Sequence, residues 1–432
     1  MRYARLRSSM PLGLKVTFRS LKYKNFRLYF SGQSMSLLGT WIQRIATPWL
    51  VYRLTGSTFL LGVVGFAGQI PTFLLAPFAG VLVDRWNRYR ILIATQILAM
   101  LQAFTLAILF IMGIIQIWEI IALSIVLGLI NAFDSPARQS LLVLMVGKKE
   151  DLGNAIALNS TMVNAARLLG PSIAGVLIAT TGEGTCFLLN GLSYLFVIVS
   201  LLFMTIDLSK LERRKGNIFL SLKDGFKYTF GFAPIKYIIL LLALVSFMGM
   251  PYTVLMPVFA KEILHGGAHT FGFLMGASGV GALTGAIFLA SRRSILGLGR
   301  IVPTAAIIFG VGLVSFAYSR FLFLSMALMV VVGLGMMLQM AASNTIIQTI
   351  VDDDKRGRVM SFYAMAFMGT APFGSFFAGS MATMFNVPVT IMVGGVACII
   401  GGLVFARQLG KLKTMVRPIY VKLGILPVEG SE

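Results

Sequence analysis

The sequence predicts an all-α membrane protein in which twelve transmembrane helices form two six-helix bundles. First, hydrophobic residues make up 57% of the 432 residues and charged residues only 12%, whereas a soluble domain is about 25% charged. Second, uninterrupted apolar runs such as 187–206 are long enough to cross a hydrocarbon core about 30 Å thick as helices. The strands of a membrane barrel would alternate apolar and polar residues instead. Third, the chain repeats itself at about half its length.

The apolar runs, divided at charged residues and at Gly or Pro breaks, predict the twelve spans in order. Spans 1 to 6 are expected at 28–52, 58–83, 91–112, 117–146, 153–180 and 185–207. Spans 7 to 12 are expected at 236–262, 270–291, 301–318, 321–350, 357–384 and 387–408. The predicted organisation is therefore a basic segment 1–27, an N-terminal bundle 28–207, a linker 208–235, a C-terminal bundle 236–408 and a tail 409–432.

The repeat relates the two bundles. Three glycines of span 5 reappear 204 positions later in span 11, where Gly357, Gly374 and Gly379 correspond to Gly153, Gly170 and Gly175. Because each copy has an even number of spans, the copies share one orientation and form parallel repeats about an axis along the membrane normal. Such halves place a substrate site between them, near the midplane.

The net charge of +22 indicates topology rather than nucleic-acid binding. Of the 37 Lys and Arg residues, 31 fall in the N-terminus, alternate loops and the C-terminus, and three fall in the opposite loops. By the positive-inside rule this bias predicts a multi-pass protein of a bacterial-type inner membrane, with both termini in the cytoplasm.

Charged residues within the spans belong to the first half. Asp134 and Arg138 on span 4 are spaced i, i+4 and can pair on one helix face, which Asn131 extends. The pair is either a proton site in a cavity, since desolvation and Arg138 pull the carboxylate pKa in opposite directions, or a permanent salt bridge within the first bundle.

Two further polar stripes must turn away from lipid. Span 1 carries Gln43 and Arg44, and span 5 carries Asn164 and Arg167. Each arginine is a candidate contact for substrate, although Arg167 could bond backbone carbonyls instead. In the second half, Gln339 adds hydrogen-bonding capacity. That half holds 16 of the 24 methionines, which form either an adaptable wall for bulky amphiphiles or ordinary packing.

The loop between spans 2 and 3 carries Gly80, Asp84, Arg85 and Arg88. It resembles the signature loop of the major facilitator superfamily, G-x-x-x-D-R-x-G-R-R/K, with Asn87 in place of the second glycine. The resemblance implies the major facilitator fold. It also implies a cytoplasmic gating role for these four residues.

Span 5 contains Gly170-Pro171 followed by Gly175, which resembles the G-P-x-x-G-G motif of drug/proton antiporters, with Ala174 in place of one glycine. That resemblance implies an element that seals the closed state. Five further segments are similar to bacterial exporters that include enterobactin and macrolide efflux proteins: Asn25-Phe26-Arg27 with Gly32-Gln33, 37–57, 132–140, 154–160 and 417–427.

Together these resemblances imply a secondary active transporter that exports a bulky amphiphile, of the drug or siderophore class, in exchange for protons. The alternatives are an uncoupled lipid or lysolipid facilitator and a non-transporting membrane sensor or scaffold. No phosphate-binding loop for ATP is present. His265 and His269 lie in an outer loop and make a weak metal pair. We therefore expect no enzymatic activity, cofactor, metal or nucleic-acid partner, and a monomer that contacts its substrate, protons and membrane lipids.

Overall fold

Helices account for nearly all of the chain in the computed structural model, which describes residues 17–205, 218–292 and 294–426. Spans 1 to 6 are Lys24–Thr55, Thr58–Arg85, Arg88–Ile111, Ile117–Leu142, Lys149–Thr181 and Glu183–Leu202. Spans 7 to 12 are Ala233–Ile263, Ala268–Ser291, Leu298–Tyr318, Leu322–Ile350, 353–385 and Val387–Lys422. The predicted all-helical membrane fold is confirmed.

Within these described ranges, ten helices are long and apolar enough to cross a membrane on those grounds alone. The other two predicted spans do not meet these criteria of length and hydropathy. Span 1 is 32 residues long, but its polar stripe lowers its hydropathy. Span 11 is divided at Thr370, which separates two shorter helices.

Local chemistry sets where several spans begin or end. Span 1 ends at Gly56, whose φ of +60° favours glycine. Ser57 then caps span 2 by accepting a hydrogen bond from the Leu60 amide. The Asn87 side chain accepts from the Tyr89 and Arg90 amides and so begins span 3. The connections are therefore tight, and consecutive spans run antiparallel.

Span 12 continues beyond its apolar part. It was expected to end at 408, but the helix runs to Lys422. Between the halves, part of the expected linker is a helix, Ile218–Gly231, here called the linker helix. It packs against the start of span 11, where Phe226 and Phe230 lie 6.1 and 6.3 Å from the Phe362 ring.

As the linker helix packs against the start of span 11, so a short helical turn before span 1 packs against the start of span 5. The turn Arg19–Lys22 lies on the start of span 5, where Arg19 and Lys22 each approach an Asp151 carboxylate oxygen to 2.7 Å. The hydrogen bond with Asp151 raises the pKa of Lys22, so this contact keeps its charges at neutral pH. The basic N-terminal segment thus fastens to the first half, while residues 1–16 lie outside the described residues.

We call the membrane face at which span 1 begins and span 12 ends the terminal side, and the opposite face the far side. The halves meet through two crossings of glycine on glycine toward the far side. A Cβ added to Gly175 of span 5 would stand 3.0 Å from the Gly272 Cα of span 8. A Cβ added to Gly379 of span 11 would stand 2.7 Å from the Gly62 Cα of span 2. Since Gly379 is the repeat counterpart of Gly175, the two crossings are related by the duplication.

Toward the terminal side the halves separate. On span 5, the helix face that packs against span 8 includes Leu168, Ser172 and Gly175. Farther down, the same face is exposed and carries small or polar residues, namely Gly153, Ala157, Ser160 and Thr161. Apolar side chains would be expected on a lipid-facing surface. This face therefore lines a wet cavity that opens on the terminal side.

Spans 7 and 11 are each interrupted by a π turn, at Val245–Gly249 and Met365–Gly369. The two turns face each other, and the Ser246 hydroxyl donates to the Phe367 carbonyl across them. Such π turns frequently occur at functional sites because they loosen the helical hydrogen-bond ladder. The first half has continuous helices at the corresponding spans 1 and 5.

Candidate functional site

Two arginines and a tryptophan meet at the top of the central cavity. The guanidinium carbon of Arg44, on span 1, lies 5.0 Å from the centre of the Trp41 ring. That of Arg167, on span 5, lies 5.8 Å from the same ring. Arg167 also places Nη2 3.7 Å from the Met336 sulfur of span 10. The three side chains therefore stand where the two halves come together.

This group lies close to the membrane midplane. At 1.5 Å per residue, Arg44 is about 17 Å from the far end of span 1, and Arg167 is about 21 Å from the far end of span 5. A hydrocarbon core about 30 Å thick has its midplane about 15 Å from either surface. Arg44 is nevertheless exposed and Arg167 is half-buried. Their charges can therefore be hydrated only through the cavity.

Asp134 and Arg138 do form the predicted pair. Their carboxylate and guanidinium groups are in direct contact. Asp134 is 4% exposed and also accepts from Thr95, at 3.1 Å, and Gln96 of span 3. The Arg138 side chain is 25% exposed. The acid is thus held inside the first bundle, while its partner reaches the edge of that bundle.

Two tyrosines complete the surroundings of this pair. Tyr29 of span 1 and Tyr194 of span 6 both lie close enough to interact electrostatically with the pair. The Tyr29 hydroxyl donates to the Asn159 amide oxygen at 3.0 Å. Spans 1, 3, 4, 5 and 6 are therefore coupled around one ion pair.

The other predicted polar residues divide between cavity and bundle interior. Asn164 is half-buried and donates to the Ser160 carbonyl of its own helix at 2.8 Å, on the cavity face of span 5. Asn131 is exposed. Gln43 is only 4% exposed, because its amide bonds Gln102 of span 3 and Asn190 of span 6 at 3.1 and 2.7 Å.

The second half contributes a wall with fewer polar groups. Gln339 is 1% exposed, and its Nε2 atom has no partner among the described atoms. On the same helix, Gln348 donates to Asn344, and both are at least partly exposed. On span 11, Met365 and Met368 are 38% and 59% exposed, and the repeat offset of 204 places them opposite Thr161 and Asn164 on the cavity face of span 5. The two walls therefore differ in chemistry.

The loop motif between spans 2 and 3 can be described only in part. Gly80 and the side chains of Asp84 and Arg85 lie outside what the structure describes. Arg88 is 8% exposed and has interaction partners.

The Gly-Pro motif of span 5 lies where span 5 meets spans 1 and 8. A Cβ on Gly170 would approach the Trp41 Cβ to 2.5 Å, and the Pro171 carbonyl faces Gly272. With the Gly175 crossing, the motif brings three spans into backbone contact. It also sets the position of Trp41 above the cavity.

One functional contact was not anticipated from the sequence. On the far side, the Tyr52 hydroxyl of span 1 donates to the Glu262 carboxylate of span 7, across the two halves. Lys261 lies 5.4 Å from the Tyr52 ring centre. The sequence could have indicated this contact, because the offset of 209 that relates Pro48 to Pro257 makes Lys261 the repeat counterpart of Tyr52. Residues at equivalent positions near the repeat axis are expected to meet.

Comparisons with known proteins identify the family and the fold. The sequence profile described as transmembrane secretion effector matches residues 15–416. The staphyloferrin A transporter of Staphylococcus aureus (strain NCTC 8325 / PS 47) is 25% identical, over 90% of this chain and 97% of that protein. The multidrug efflux pump Tap of Mycolicibacterium fortuitum is 23% identical, over 88% of this chain and 95% of that protein.

Among solved structures, a bacterial homologue of the iron transporter ferroportin, in an inward-facing state, superposes with a TM-score of 0.69. It is 18% identical, and the match covers 89% of this chain and 98% of that one. At this identity the likeness concerns the fold alone. The predicted superfamily and the predicted resemblance to exporters are both confirmed.

Proposed function

The chain belongs to the transmembrane secretion effector family of the major facilitator superfamily, and on that premise we propose that it exports a bulky amphiphilic small molecule in exchange for protons. The chain is a multi-pass membrane transporter and not an enzyme. Its relatives include a siderophore transporter and a multidrug efflux pump, which supports export of a molecule of the drug or siderophore class.

Alternating access is the proposed mechanism. The supporting observation is the unequal packing of one helix face of span 5, which is closed by glycine contacts toward the far side and exposed toward the terminal side. A second arrangement with the opposite pattern would carry the cavity from one membrane face to the other. The basic residues favour a cytoplasmic terminal side, so the cavity would receive its cargo from the cytoplasm or the inner leaflet.

The ion pair of Asp134 and Arg138 is the proposed coupling site. Protonation of Asp134 would remove the charge that holds Arg138, and the partly exposed guanidinium would be released. Thr95 and Gln96 of span 3, Tyr29 of span 1 and Tyr194 of span 6 surround the pair. Protonation or separation of the pair would therefore change contacts with most helices of the first bundle.

Gradient-driven transport tests this coupling. In proteoliposomes with an imposed pH gradient, Asp134→Asn should reduce accumulation of a transported dye at least tenfold. Its exchange without a gradient should stay within threefold of the wild type, because binding and rocking are retained. Asp352→Asn is the matched control, since Asp352 is an exposed acid paired with Lys355 at 3.6 Å on the terminal side.

A folding defect can be separated from a coupling defect. Removal of one member of a buried pair leaves the other charge uncompensated, so the double variant Asp134→Asn/Arg138→Gln is measured alongside. We expect normal thermal stability and the same loss of gradient-driven accumulation. Full accumulation in either variant rejects Asp134 as the coupling site. Wild-type transport that ignores both the gradient and an uncoupler selects the uncoupled facilitator.

A further inference from the structure

We propose that Arg44, Trp41 and Arg167 form a recognition site for an anionic head group, so that the cargo is a carboxylate, sulfonate or phosphate amphiphile. The inference rests on the proposed transport function and names the substrate class for the same cavity. Its basis is the placement of two positive charges on one aromatic ring, near the midplane and open to the cavity.

Both guanidinium groups lack an acidic counterpart among the described side chains. The described acids that pair do so elsewhere: Asp134 with Arg138, Asp151 with Arg19 and Lys22, Glu183 with Arg53, and Asp352 with Lys355. Glu262 accepts from Tyr52 on the far side, and Glu119 caps its own helix. No described acid therefore compensates the two positive charges at the top of the cavity.

Such an arrangement costs free energy in the absence of an anion. A charge near the bilayer centre is unfavourable, and the two like charges also repel. Trp41 offsets part of the cost, because an aromatic face attracts cations. A bound anion would offset more, since the planar guanidinium donates two parallel hydrogen bonds to a carboxylate or phosphate.

The rest of the cavity fits the remainder of an amphiphile. Span 5 offers hydroxyl and amide groups at Ser160, Thr161 and Asn164. Span 11 offers the exposed side chains of Met365 and Met368 on the opposite wall. An anionic head at the arginines and an apolar body against the methionines would satisfy both walls. Cationic amphiphiles would be repelled from the top of the cavity.

Two xanthene dyes of similar size and opposite charge test the proposal. Binding of fluorescein, an anion, and rhodamine 6G, a cation, is measured by fluorescence polarisation with purified protein in phosphatidylcholine nanodiscs at low salt. We expect fluorescein to bind at least tenfold more tightly. Equal or tighter binding of rhodamine 6G overturns the proposal, and this comparison needs no variant.

Variants then locate the site. Arg44→Gln/Arg167→Gln should weaken fluorescein binding at least tenfold, whereas Arg44→Lys/Arg167→Lys should cause a smaller loss, because the charges remain although the paired guanidinium hydrogen bonds are lost. The control Arg320→Gln removes an exposed far-side arginine that donates to the Ala317 and Ser319 carbonyls and should leave fluorescein binding unchanged. Unchanged fluorescein binding in the double glutamine variant, with normal thermal stability, contradicts the proposal.

The anion could come from a lipid or from a soluble cargo. Nanodiscs containing phosphatidylglycerol distinguish the two, because a lipid head group at the arginines would compete with fluorescein. Competition that disappears in the double glutamine variant assigns the site to lipid phosphate, and no competition assigns it to soluble cargo. All these measurements are made without a proton gradient, so their outcome is independent of whether transport is proton-coupled.

Discussion

Arg44 and Arg138 show how differently two arginines can be accommodated in membrane spans of one bundle. Arg138 contacts Asp134 directly, and its side chain is 25% exposed. Arg44 has an aromatic ring instead of an acid beside it and is exposed. The first arrangement holds helices of one half together. The second leaves a charge available to something that enters the cavity.

The Tyr52 contact with Glu262 leads to a prediction at the same scale. Tyr52→Phe removes the hydroxyl that donates to the Glu262 carboxylate. The far-side-closed state should lose about 1 kcal/mol of free energy relative to the far-side-open state. We expect roughly a fivefold shift of the population toward the state that is open on the far side. Spin labels at Thr181 and Phe385, both exposed at the far ends of spans 5 and 11, report the shift as a longer distance.

The matched control is Tyr318→Phe. The Tyr318 hydroxyl bonds the Met392 sulfur at 3.0 Å, also on the far side but within the second half. Its loss should leave the distance between the labels unchanged. An equal response to both substitutions would mean that Tyr52 stabilises its helix rather than the contact between halves.

Spans 5 and 11 are the elements that determine how closely the halves approach. Gly175→Val should prevent far-side closure, because the new Cβ would stand 2.9 Å from the Ala268 carbonyl oxygen and 3.0 Å from the Gly272 Cα. Backbone atoms cannot give way as a flexible side chain does. A cysteine introduced on the far side should react several-fold faster with a thiol reagent. Gly379→Val should have the same effect, because Gly379 is the repeat counterpart of Gly175.

The same helices supply the control for this prediction. Gly153 and Gly357 are repeat counterparts with nothing within 4 Å of an added Cβ. Valine at either position should leave far-side accessibility and transport close to the wild type. Loss of transport with Gly153→Val, with no change at the far side, would point to a cargo contact on span 5 rather than to packing.

The sequence predicted the positions of the spans well, but it did not predict which face of a span points into the bundle and which into the cavity. Apolar length located the helices, because the membrane requires about 20 residues per crossing. The glycine repeat likewise indicated the matched crossings at Gly175 and Gly379. Periodicity did not separate Gln43, which bonds Gln102 and Asn190 inside the bundle, from Arg44, which is adjacent in sequence and faces the cavity.

Some features left no trace in composition or spacing. The π turns in spans 7 and 11 are joined by a hydrogen bond from Ser246 to the Phe367 carbonyl, which forms only when the two spans pack together. The burial of Asp134 likewise depends on Thr95 and Gln96 of a different helix. Contacts between distant segments decide these details, whereas a single span contains only its own pattern.

For the molecule as a whole, the duplication explains both the closed and the open end of the cavity. Two related glycine crossings close the far side, and the faces that continue from them toward the terminal side are exposed in both halves. Gly153 and Gly357 lie on those exposed faces. Charge breaks the symmetry, since Arg44 and Arg167 belong to the first half and the exposed methionines of span 11 to the second.

Paired distance measurements test alternating access most directly. Spin labels at Gly153 and Gly357 report the terminal side, and labels at Thr181 and Phe385 report the far side. The native Cys186 and Cys398 are buried and so are shielded from labelling reagents. Electron–electron resonance distances are recorded with and without a transported dye, at neutral and acidic pH. The account predicts that the terminal-side distance shortens whenever the far-side distance lengthens. Distances that change in the same sense, or stay fixed while transport proceeds, would contradict it.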